Sequence, residues 1–201
     1  NAPVNALDRK GPIQIAGSPR IVDGPDGEQT AVTFDGKKDY VKVMLGPDEA
    51  RDLQRMTLGV RFRPDLTAPA GDASVLSNTE GRGTAITYDV GGKKLKFWVS
   101  VNDRAYTIVE TTADPDGWLD AFGVYDGKNA ILYLNGREVG RVGATGNATH
   151  PTAASLQTFV LAGDPRPEGN ADYLFKGSID RARIYTWALK SEQIEALHET
   201  P

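Results

Sequence analysis

The amino-acid sequence predicts an all-β fold, an antiparallel β-sandwich with one short C-terminal helix. Three observations carry that expectation. Short runs of alternating apolar and polar residues recur along the chain, the pattern of strands with one buried face. Turn residues separate these runs, drawn from 22 glycines and 12 prolines among 201 residues. Helical spacing is persuasive in only one segment, close to the C-terminus.

Taken in order, residues 1–30 are rich in Gly, Pro and Asp and predict a mostly irregular lead-in, with Ile13 and Ile15 suited to a sheet edge. Ala31–Phe34 and Tyr40–Met44 flank an Asp35-Gly36 turn. In Met56–Arg63, Leu58, Val60 and Phe62 share one face while Thr57, Arg61 and Arg63 share the other. Ala85–Val90 meets Leu95–Val101 through Gly91-Gly92, and Asn102-Asp103 turns the chain into Tyr106–Glu110. Ala121–Tyr125 and Ala130–Leu134 follow, and Asn135-Gly136, the strongest hairpin signal in the chain, leads into Glu138–Val142. Thr158–Ala162 and Ser178–Tyr185 complete about ten strands. In the terminal helix Ser191 is the expected cap, Glu192 suits the first turn, and Ile194 and Leu197 share a face.

Charge and composition exclude several functions. A net charge of −4 argues against nucleic acid, whose phosphates require clustered Lys and Arg. No apolar run approaches the roughly 18 residues of a membrane-spanning helix, so membrane insertion is not expected. The absence of cysteine removes disulfides, thiolate nucleophiles and Cys-based metal sites. The two histidines, His150 and His198, are too few for a His-rich metal centre, and His150 is expected in an exposed loop.

Several segments together resemble the laminin-G-like, concanavalin A-like jelly-roll family. They are Val32-Thr-Phe-Asp-Gly36 with Asp39–Val43, Met56–Pro64, and Trp118 with Gly123–Gly127. Ile131–Gly136, Phe175–Tyr185 and Ala188–Ile194 complete the set. The resemblance implies a single laminin-G-like jelly-roll domain over residues 1–201, in a family that includes lectins, glycoside hydrolases, polysaccharide lyases and spacers. Arg61 stands where the family usually has an aromatic residue, and Leu119-Asp120 where histidines usually follow the tryptophan. The resemblance also implies a structural Ca²⁺ held between Asp35 and Asp180, a hard ion that takes carboxylate and carbonyl oxygens.

The candidate ligand surface lies on Leu95–Asn102. Alternation turns Leu95, Phe97, Val99 and Val101 inward, leaving Lys96, Trp98, Ser100 and Asn102 on the opposite face. A tryptophan among polar donors suits a sugar, which has an apolar face and a polar edge. Tyr125 and Tyr133 are expected to extend that surface, and Arg61 to join it and favour acidic or uronic sugars. The Glu-x-Asp-x-x-Glu strand of a retaining glycosidase on this fold does not occur, and no histidine lies on a predicted strand for a lyase. The expected function is therefore a non-catalytic carbohydrate-binding or adhesion module of a secreted or cell-surface bacterial protein, beside further domains of a longer chain. A polysaccharide-active enzyme using a concave sheet and a ligand-free spacer are the alternatives.

Overall fold

The computed structural model describes residues 4–5, 13–27, 30–44, 53–115, 117–152 and 158–200. Two antiparallel sheets face each other. The first joins β1 (Val4–Asn5), β3 (Arg20–Val22), β4 (Ala31–Asp35), β6 (Met56–Pro64), β11 (Leu119–Tyr125), β12 (Asn129–Leu134), β13 (Arg137–Gly143) and β17 (Lys176–Tyr185). Their order is β13-β12-β11-β6-β17-β4-β3, with β1 paired to β17. The second runs β10-β9-β8-β7-β14-β5-β2. Its strands are β2 (Ile13–Ala16), β5 (Tyr40–Met44), β7 (Asp72–Ser77), β8 (Thr84–Asp89), β9 (Lys94–Ser100), β10 (Tyr106–Thr112) and β14 (Thr158–Leu161). A two-stranded ribbon, β15 (Asp164–Pro165) and β16 (Ala171–Asp172), stands apart from both.

The alternation in the sequence explains the packing. Leu58, Val60 and Phe62 of β6 and Leu95, Phe97 and Val99 of β9 meet in one buried core between the sheets. Gly123 makes their close approach possible, because a Cβ at that position would overlap the Phe97 ring. A second cluster covers the outer side of the first sheet. There Phe122, Val124, Ile131 and Tyr133, with Tyr185 of β17, pack beneath Leu189 and Ile194, which α1 (Ser191–Glu199) and its approach segment bring over them.

The ends of the fold pair as expected: β4 and β17 form a ladder, with Val32 opposite Ile179 and Phe34 opposite Gly177. Other expectations are corrected. Ile13 and Ile15 do pair at a sheet edge, as β2, but the lead-in also carries β1 and β3, which were not expected. Strand β7 was hidden because Asp72-Ala-Ser-Val-Leu-Ser77 carries a bulge between Ser74 and Leu76 that breaks its alternation. Lys190 rather than Ser191 occupies the N-cap, and its backbone N–H donates to Gln193 Oε1 at 3.0 Å. His150 is not a free loop side chain: its ring bridges Asn78 Nδ2 and the Leu53 carbonyl, and burial pushes its pKa down.

Candidate functional site

The outer face of the second sheet holds the site. On β9 the inward residues Leu95, Phe97 and Val99 are buried, whereas Lys96 and Trp98 on the other face remain partly accessible. The ladder places Ala85 of β8 and Ile108 of β10 on either side of Trp98. Thr87, opposite Lys96, fixes the indole: Trp98 Nε1 donates to Thr87 Oγ1 at 2.9 Å. Tyr106 meets the Trp98 ring edge-on, with centroids 5.8 Å apart. Its hydroxyl donates to the Arg82 carbonyl at 2.8 Å, and burial and nearby carboxylates push its pKa up to about 12. The phenol therefore stays protonated throughout the neutral range.

Two loops turn this platform into a pocket of about 360 Å³. One is the turn after β7, which contributes Thr79 and Glu80. The other is the β15–β16 ribbon and the residue after it, Tyr173, which has a left-handed φ of 46° and is 60% exposed. The Ser74 backbone N–H holds it by donating to the Tyr173 carbonyl at 2.8 Å.

The rim is rich in carboxylates. Lys96 Nζ lies 2.9 Å from Asp72 Oδ2, and Arg166 bridges Glu80 at 3.0 Å and Asp172 at 2.9 Å. Asp164, almost wholly buried, accepts instead from the Ser77 hydroxyl and from the hydroxyl and backbone N–H of Thr79. Burial, reinforced by the Asp172 charge, raises its pKa to about 6 against these bonds. The inner oxygens Asp72 Oδ1 and Asp172 Oδ1 are buried without a hydrogen-bond partner. Aromatic surface in a pocket lined by carboxylates suits a ligand with apolar faces and hydroxyl or amine edges.

A larger cleft, of about 580 Å³, opens beside β3, β4 and β17 of the first sheet near Asp35 and Lys176. Two of its charged groups are already engaged: Lys176 with Thr67 and Asp65, and Asp35 with three backbone N–H groups. It presents no exposed aromatic ring, so the smaller pocket is the better-built site.

The structure separates residues that the sequence grouped. Ser100 shares the Trp98 face but is fully buried, its hydroxyl donating to the Arg104 carbonyl. Asn102, at a left-handed φ of 52°, spends its side chain on Thr145 and Asn147 of the neighbouring loop. Tyr125 does not reach the surface: its ring is in the core and its hydroxyl donates to the Ala144 and Gly146 carbonyls. Tyr133 lies under α1. Arg61 is on β6, on the outer side of the other sheet, with the thickness of the sandwich between it and Trp98.

The expected calcium pair is also corrected. Asp35 sits opposite Lys176 in the β4–β17 ladder, and Asp180 lies four residues further along β17, about 13 Å away at normal strand rise. Asp35 Oδ1 accepts from the backbone N–H groups of Lys37, Lys38 and Asp39, which outweigh burial and hold its pKa low. Asp180 is taken by Arg61 and Thr30. Calcium takes six to eight converging oxygens, and these two residues do not fit it. Among the described residues no group of three or more metal-ligating side chains gathers.

The family model described as the concanavalin A-like lectin/glucanases superfamily, Laminin_G_3, matches residues 35–195. The chain belongs to this superfamily. No curated protein matches it. Among solved structures it is similar to the receptor binding domain of botulinum neurotoxin C/D mosaic serotype, with a TM-score of 0.71 and 13% identity over 94% of this chain and 46% of that one. It is similar to the binding domain of Paraclostridial Mosquitocidal Protein 1, with a TM-score of 0.71 and 14% identity over 94% and 47%. It is also similar to the binding domain of botulinum neurotoxin DC in complex with SialylT, with a TM-score of 0.70 and 12% identity over 93% and 45%. The chain thus spans just under half the length of these structures.

For this member of the superfamily, Tyr106 was within reach of sequence reasoning. Once Asn102-Asp103 is taken as the turn, pairing sets Tyr106 opposite Ser100 and hence on the Trp98 face. Tyr173, Asp164 and Arg166 had no such local signal, because the β15–β16 ribbon arrives from elsewhere in the chain.

Proposed function

We propose that this chain is a non-catalytic carbohydrate-binding module of a secreted or cell-surface protein, and that it binds sugar in the Trp98–Tyr106–Tyr173 pocket. The observation that carries this reading is the Trp98 indole, pinned by Thr87 and edge-packed on Tyr106 at the wall of a 360 Å³ pocket. A buried sandwich tryptophan would supply only core packing, whereas this one adds partly accessible aromatic surface to a pocket lined by carboxylates. The similar solved structures support the reading in kind, since they are receptor-binding or binding domains and one is described with SialylT. Their greater length leaves room for adjacent domains beside this one. Arg61, the residue expected to favour acidic sugars, faces away from the pocket.

The test is calorimetric titration of an oligosaccharide panel against the wild type and Trp98→Ala, with a denaturant melt of each. Binding by the wild type that is lost in a still-folded Trp98→Ala supports the assignment. Undiminished binding in the variant would remove the pocket from the function.

A further inference from the structure

We propose that the pocket selects a saccharide carrying a protonated amine, a glucosamine-type sugar, over one carrying a carboxylate. This rests on the carbohydrate-binding reading and specifies the ligand class for the same site.

The ion pairs on the rim lead to it. Lys96 is neutralised by Asp72, and Arg166 is shared between Glu80 and Asp172. Neither cation is free for an incoming carboxylate, which would have to break an existing pair to gain one. Asp164 is different. It lines the pocket, is buried, and among the described residues has no ion-pair partner. Its side chain accepts from the hydroxyls of Ser77 and Thr79 and from the Thr79 backbone N–H. Near neutral pH most Asp164 side chains are ionised, because the raised pKa is only about 6. A carboxylate entering beside this uncompensated charge meets like-charge repulsion in a partly desolvated site. An ammonium there gains a charge-assisted hydrogen bond, and the exposed Tyr173 ring offers a cation an aromatic neighbour, while the Trp98 ring already carries Lys96 Nζ 5.9 Å from its centroid.

The experiment titrates three tetrasaccharides near pH 7 into the 201-residue protein: the glucosamine tetramer, the N-acetylglucosamine tetramer and the galacturonate tetramer. The glucosamine tetramer should bind about tenfold more tightly than the galacturonate one, the worth of one charge-assisted contact. In Asp164→Asn, which keeps an acceptor oxygen toward Ser77 and Thr79, that ratio should fall to about threefold or less. Trp98→Ala should weaken all three together.

If Asp164→Asn does not fold, the wild type itself supplies the control. At about pH 5 Asp164 is mostly protonated, whereas acidification can only add charge to the sugar amine, so a glucosamine preference that shrinks is attributable to Asp164. The charged groups around Asp164 there are Asp72, Glu80 and Arg166, which line the same pocket, and Asp172, with Arg166 charged at both pH values. Equal or tighter binding of the galacturonate tetramer would overturn the proposal, as would a ranking that survives both Asp164→Asn and acidification. Binding without the ranking defeats this inference alone. No binding by any of the three defeats the carbohydrate reading beneath it.

Discussion

Arg61 and Asp180 form an ion pair on the outer side of the first sheet, with Arg61 Nε 2.7 Å and Nη2 2.5 Å from Asp180 Oδ2. Both side chains are largely buried, at 13% and 3% exposure. This contact engages the Asp180 carboxylate and holds Arg61 on the side of the sandwich away from Trp98. Removing one partner of a buried pair strands the other charge. Arg61→Ala should therefore destabilise the fold by about 3 kcal/mol in a denaturant melt, with saccharide affinity unchanged. A loss below about 1 kcal/mol would mean that Arg181, 3.3 Å from the same oxygen, takes over the pairing.

Trp98 should separate affinity from stability. Truncating an anchor aromatic at a binding site costs on the order of 1–3 kcal/mol of affinity. Because the ring is only partly buried, Trp98→Ala should cost less stability than the roughly 3–5 kcal/mol of a core aromatic. Thr87→Val removes the acceptor that orients the indole while preserving shape. It should lower affinity by a smaller amount, about 1 kcal/mol, with little change in melting. Titration and melt on the same two variants check both expectations.

Asp164 sets a pH dependence of known sign. Its folded pKa of about 6 lies above the ordinary 3.8, so the folded state binds the proton more tightly than the unfolded chain. The stability linked to this proton is fully present below about pH 4 and is lost as pH rises through about 6, for a total of about 3 kcal/mol. Asp164→Asn cannot ionise. Its melting temperature should gain on the wild type between pH 4 and pH 8, and a gap that stays constant over that range would contradict the assignment.

Gly123 sets the spacing of the sheets at the strand that carries Trp98. A methyl group there overlaps Phe97, whose ring is fully buried and directly precedes the site tryptophan. Gly123→Ala should cost about 1–3 kcal/mol through overpacking. Since Phe97 and Trp98 are neighbours on β9, a parallel loss of saccharide affinity is expected, and the same pair of measurements tests it.

The strands and their faces were legible in the sequence because alternation is a local property. Leu95, Phe97 and Val99 point inward, and Lys96 and Trp98 outward, as their order alone dictates. The pairing of β4 with β17 was legible through the ordered family segments. Membership of the site was not. Tyr125 and Tyr133 alternate in their strands as Trp98 does in its own, yet one is spent on the core and a loop and the other lies under α1. Arg61 faces outward as expected, but on the opposite side of the sandwich. Strand pattern fixes which face a side chain occupies within its own sheet; it carries no information about which sheet that is or what covers it. Those depend on long-range pairing and on where the loops land. The ribbon that brings Asp164 beside Trp98 is such a case, and only the tertiary structure could place its carboxylate in the pocket.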